Sequence, residues 1–112
     1  MTDTAFITDM DVEKALDYLR DNASGAALAR ANRVYVEEYR KVIKAQIMKE
    51  HGDESGIAQE REAYADPRYV KHLEAIRDAV ISDEKYRFLR EAASAMIEAW
   101  RTASSNYRAM KI

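Results

Sequence analysis

Residues 9–51 read DMDVEKALDYLRDNASGAALARANRVYVEEYRKVIKAQIMKEH, and residues 67–111 read PRYVKHLEAIRDAVISDEKYRFLREAASAMIEAWRTASSNYRAMK. Gly25 is the only glycine in these two runs, and the only proline is Pro67, at an opening position where a helix accepts it. Runs of this length without breakers predict an all-α fold: an elongated antiparallel helical hairpin of two long helices. In the first, Thr8 is the candidate N-cap, and Asp9 and Asp11 lie in the first turn, where the helix dipole favours carboxylates. Ile7 and Val12 occupy the positions of a hydrophobic staple. Apolar residues then recur at Val12, Leu16, Leu19, Ala23, Ala27, Ala31, Tyr35, Val42 and Ala45, near the 3.6-residue period of a helix face. Lys49 and His51 followed by Gly52 read as the stop. Gly25 costs about 1 kcal/mol relative to alanine. With alanines around it, it marks either a kink or a close helix–helix contact; one helix of about 65 Å is the expectation.

The connector Gly52–Asp66 is polar and acidic. Its Ile57–Tyr64 segment is helix-prone but too short to stand alone. It predicts a short crossover helix over about 55–65, capped from Asp53 or Ser55, at the end of the hairpin. Asp66-Pro67 then supplies an N-cap and an N1 proline for the last helix, over about 67–110. Its stripe is Leu73, Ile76, Val80, Leu89, Ala93, Met96, Trp100, Ala103 and Tyr107, with a lapse at Ser82–Lys85. Ser82 is a candidate fresh N-cap, stapled by Ile81 and Tyr86, so the helix either bends there or its seam shifts around the cylinder.

At 112 residues, 47% hydrophobic and 34% charged, the chain reads as a single helical domain over residues 1–112. A net charge of −2 argues for neither nucleic acid nor membrane, and the absence of cysteine excludes disulfides, thiol catalysis and thiolate metal sites. Met1–Thr4 lacks the features of a signal peptide, and no apolar run reaches the roughly 20 residues that cross a bilayer. A cytoplasmic protein without membrane contact is the expectation. Met1–Asp21 carries six acids and two bases, whereas Arg101–Ile112 carries three bases and no acid. An antiparallel pair sets these ends side by side, with Trp100 as a core anchor near the acidic start, its indole N–H seeking an acceptor.

Two surfaces stand out as candidates. Val36, Ile43 and Ile47 lie beside the main seam of Tyr35, Val42 and Ala45 and make the apolar arc wider than one partner helix covers. The crossover helix covers part of it; a second protomer covering the rest gives a homo-oligomer, most simply a dimeric four-helix bundle. Roughly opposite, Arg30, Arg33, Arg40, Lys41 and Lys44 fall within an arc of about 100°. That strip reads either as a phosphate-contacting surface or as an ordinary solvated face in which Glu37 pairs with Lys41 or Lys44.

Catalytic chemistry finds little purchase. His51 and His72 lack the spacing of a metal pair, Ser104 and Ser105 have no partner histidine within a turn, and Gly52–Gly56 is too acidic to cradle phosphate. Glu60, Glu62 and Asp66 read as solvated acids rather than a Mg²⁺ site. The reading is therefore non-enzymatic, with no catalytic residue, cofactor or metal. Of seven tyrosines, three stand beside a cation, in Tyr39–Arg40, Tyr86–Arg87 and Tyr107–Arg108, and fit either stacking on single-stranded nucleic acid or the edge of a helical core.

The segments Arg61–Tyr69 with His72-Leu73-Glu74, Ala99–Thr102 with Asn106–Lys111, and Ala29–Arg33 resemble small helical proteins of tailed bacteriophages and prophages. Some of these are encoded among early genes near recombination and single-strand-binding functions. The resemblance implies a host bacterial cytoplasm and a role as an accessory of phage DNA metabolism, binding DNA or a phage or host DNA-processing protein. Arg30, Arg33, Arg40, Lys41 and Lys44 are then the candidate contacts, with Arg87, Arg90 and Arg108 as additions. The alternative is a protein-interaction module that inhibits or scaffolds a host protein without touching nucleic acid.

Overall fold

The computed structural model describes residues 7–111. Met1–Thr4, Asp3 and the side chain of Lys111, which enter the sequence reading, lie outside the described side chains. Four α-helices follow in order: α1 (Asp9–Asp21), α2 (Ala23–Glu50), α3 (Gly56–Ala65) and α4 (Pro67–Lys111), with no strand among the described residues. Among the described residues no helix is long and apolar enough to cross a membrane.

The helix starts obey local capping chemistry. The Thr8 hydroxyl accepts from the Asp11 N–H at 3.1 Å while the Asp11 carboxylate accepts from the Thr8 N–H at 2.9 Å, a reciprocal capping box. Ser55, rather than Asp53, caps α3 by accepting from the Ala58 N–H. Asp66 ends α3 and opens α4, its carboxylate accepting from the Arg68 N–H at 2.8 Å.

Two sequence expectations need correction. The first long run is not one helix: it divides at Asn22, not at Gly25. The Asn22 backbone N–H and side-chain Nδ2 both donate to the Tyr18 carbonyl, each at 3.0 Å. An asparagine amide that competes for backbone acceptors in this way interrupts a ladder locally. Gly25 instead marks a close approach, because a Cβ built there would stand 2.7 Å from the Tyr86 hydroxyl. Gly52 is not a left-handed cap, since no described glycine has positive φ. The end of α2 is closed by His51 N–H donating to Met48 O and Glu54 N–H to His51 O, both at 3.0 Å. Ser82 lies inside α4, which continues through it.

Packing gathers in two compact units, one of Met1–Ala26 with Lys85–Ile112 and the other of Ala27–Glu84. In the first unit α1 and the C-terminal part of α4 run antiparallel, as the Asp9–Trp100 and Gly25–Tyr86 approaches show. Its buried residues are Val12, Ala15 and Ala93. Alanine at such positions lets two helices pack near the short end of the usual 8–10 Å range. The Trp100 indole N–H finds its acceptor in Asp9 Oδ1 at 3.1 Å.

In the second unit α2 and the first part of α4 are also antiparallel, tied by Arg33–Asp83, Val36–His72 and Glu50–Arg68. Its core is Ile47, Ala63 and Tyr69, with Ile43 and Met48 packed against it. The tertiary fold reverses the sequence reading of α2. Ile47 is 0% exposed, whereas Tyr35 and Val42 of the expected seam are 64% and 42% exposed. Ile47 therefore belongs to the protomer's own core, and Ile43 is spent packing against it. Val36 is part-buried on the same side, and its carbonyl accepts from His72 Nε2 at 2.5 Å. Val36, Ile43 and Ile47, expected at an oligomer interface, lie on the inward face of α2, toward α3 and the start of α4.

Candidate functional site

The basic strip of α2 breaks up when its partners are in place. Arg33 donates from Nε to Glu37 at 2.9 Å and from Nη1 to Asp83 and Glu84 at 3.2 Å each. Hydrogen bonds to Glu37 and Glu84 raise its already high pKa further. Three acids on one guanidinium neutralise it locally. Lys44 donates to the Tyr64 hydroxyl at 2.9 Å, lies 3.5 Å from Glu60, and sits 4.7 Å from the centre of the Tyr64 ring. The Tyr64 hydrogen bond raises its pKa. Lys41 pairs with Glu38 at 3.1 Å in an exposed contact. Arg30 and Arg40 alone of the five make no hydrogen bond or ion pair among the described residues, and both are exposed. Of the additional cations, Arg87 pairs with Glu91 and Arg108 donates to Ser105, both along α4 itself. Arg33 and Lys44 thus join α2 to α4 and α3 respectively.

Two constellations escaped the sequence. Arg68 grips Glu50 through two bonds of 2.8 Å and Asp66 through bonds of 3.0 and 2.9 Å. The Arg68 guanidinium holds Asp66 down at a pKa of about 2 and lowers Glu50 as well. Asp66-Pro67-Arg68 announced a helix start, but nothing local pointed to Glu50. The other is an aromatic run on the second unit: Tyr35 stacks on Tyr39 at 5.8 Å, and Tyr39 leans on the His72 ring at 5.8 Å.

The remaining feature is apolar. On the first unit a groove of about 240 Å³ is lined by Ala15, Tyr18, Leu89, Ala92, Ala93 and Met96, with Asp11 and Lys14 beside it. The Asp11 carboxylate is occupied by the capping box. The Tyr18 hydroxyl is enclosed and has no hydrogen-bond partner among the described residues. An enclosed hydroxyl without a partner costs about 1–3 kcal/mol. Leu16 and Phe88 are also exposed on this unit.

Among the described residues no group of three or more His, Asp or Glu is placed to hold a metal ion. Compared with known proteins, the chain matches no protein-family model, no curated protein and no solved structure.

Proposed function

We propose that this chain is a helical protein-interaction module whose first unit receives an amphipathic helix of a partner protein in the groove between α1 and α4. The observation that carries this reading is the groove itself: an apolar floor of Ala15, Ala93, Leu89 and Met96 beside an enclosed, unsatisfied Tyr18 hydroxyl. Helix-in-groove recognition uses such a floor for apolar anchors spaced one turn apart. Direct DNA contact has less support, because Arg33, Lys41 and Lys44 are committed to carboxylates or a tyrosine within the chain. It rests on Arg30 and Arg40.

Met96→Glu and Leu89→Asp place a charge on partly exposed groove residues and leave the buried alanines untouched. Proteins captured from cell extract by the wild-type chain are identified, purified and titrated against both variants by calorimetry. Affinity is expected to fall at least tenfold, with the melting temperature unchanged. Undiminished affinity in the groove variants overturns the reading. Single- and double-stranded DNA are titrated in parallel at low salt; binding that weakens with salt and is lost in Arg30→Glu/Arg40→Glu replaces it with the DNA reading.

A further inference from the structure

The outward side of α2 carries an apolar stripe that the second unit leaves uncovered. Leu28, Tyr35 and Val42 recur every seven residues and are 72%, 64% and 42% exposed. Ala31 and Ala45, both exposed, recur between them at the alternating spacing of three and four. In heptad terms the large residues occupy a, the alanines occupy d, and Glu38 holds the d position between them. One-sided spacing of this kind over several turns is the sequence form of a helix–helix seam.

The geometry points to a second copy of this chain as the occupant, with the two α2 helices antiparallel. A parallel pair stacks large on large and alanine on alanine, and presses Glu38 against Glu38. That leaves gaps beside the alanines and repulsion at the centre. An antiparallel pair about a two-fold axis between Val36 and Glu37 does the opposite. Leu28 then meets Ala45 of the other copy, Ala31 meets Val42, and Tyr35 meets Glu38, each contact occurring twice. Large fills small, and each Glu38 carboxylate faces a Tyr35 hydroxyl that donates to it, instead of a like charge. Lys41, paired with Glu38 along the helix at 3.1 Å, offsets the acid at the rim. Antiparallel macrodipoles also oppose one another. Such a contact uses one self-complementary patch and closes on itself. The paired stretch is about 26 Å of helix, a small contact, so a reversible, concentration-dependent dimer follows. The inference concerns the second unit and stands without the groove of the first.

The full-length chain is examined by analytical ultracentrifugation from micromolar to near-millimolar concentration. A reversible monomer–dimer equilibrium is expected for the wild type. Leu28→Glu/Val42→Glu is expected to be monomeric throughout, with the same helix content and melting curve, because both side chains are exposed. The chain has no cysteine, which permits a clean test of orientation. Leu28→Cys mixed with Ala45→Cys under mild oxidation is expected to give the mixed disulfide, and neither variant alone a cross-linked dimer. A wild type that stays monomeric, a dimer that survives Leu28→Glu/Val42→Glu, self-cross-linking of Leu28→Cys, or a dimer broken by Met96→Glu each overturns the inference.

Discussion

Exchanging Ile47 and Val42 for alanine, one at a time, tests which side of α2 faces the core. Ile47 is 0% exposed and touches the cluster of Ala63 and Tyr69. Truncating a fully buried isoleucine removes its transfer free energy and leaves a cavity, together about 2–5 kcal/mol. Val42 is 42% exposed, so its truncation removes few contacts, and the better helix propensity of alanine offsets about 0.5 kcal/mol of that. Its net effect should lie within about 0.5 kcal/mol of zero. Chains of this size shift in Tm by several degrees per kcal/mol, so Ile47→Ala should melt on the order of 10 °C or more below Val42→Ala. Circular dichroism melts and urea titrations at submicromolar concentration, below self-association, measure the difference. Equal destabilisation by the two substitutions, or a larger effect from Val42→Ala, refutes the face assignment. The amphipathic stripe read from sequence, with Tyr35, Val42 and Ala45 inward, requires that reversed order.

Other substitutions probe the clasps and the close approach. Asp66 is held at about 2, well below its ordinary 3.8, by Arg68. Its stabilising contribution is therefore complete above about pH 4 and is lost as pH falls from about 4 through 2. Asp66→Asn keeps a capping side chain, and an acid titration followed by circular dichroism should lose that part of the pH dependence. Gly25→Ala should be close to neutral in the wild type, where the new Cβ meets the Tyr86 hydroxyl at 2.7 Å. In a Tyr86→Phe background the same change should be more favourable, recovering part of the propensity gain of about 1 kcal/mol, since the hydroxyl is gone while the ring Cζ still stands 3.2 Å from the new Cβ; a double-mutant cycle by urea denaturation reads the difference. Arg33→Gln should lower the melting temperature measurably, because it strips the shared cation from Glu37, Asp83 and Glu84. Arg30→Gln and Arg40→Gln, in the same thermal scan, should leave it unchanged.

The parts legible beforehand were those governed by neighbours in sequence. Thr8, Ser55 and Asp66-Pro67 mark helix starts because a cap needs only a side-chain oxygen and amides two or three residues away. The division at Asn22 is equally local, its amide bonding the Tyr18 carbonyl, but Gly25 three residues on is the stronger breaker by propensity. Trp100 was placed near the acidic start of α1 from the pairing of oppositely charged ends, and its acceptor is Asp9. The basic strip was only partly legible, for a different reason. Helical spacing reports that five cations share an arc, but whether each is free depends on acids that arrive from α3 and α4, such as Glu60, Asp83 and Glu84. The Tyr18 groove exists only where α1 meets α4, so no single segment announces it.

By itself the sequence determined that the chain is helical, where three of its four helices begin, and that the capping residues would be satisfied, since these follow from contacts within a turn. Only the tertiary structure decided which stripe of α2 is core and which is surface. The helix is apolar on both sides, and periodicity is blind to the sign of a direction. Ala63 and Tyr69, brought back by the α3 crossover, bury Ile47 and thereby turn Leu28, Tyr35 and Val42 outward.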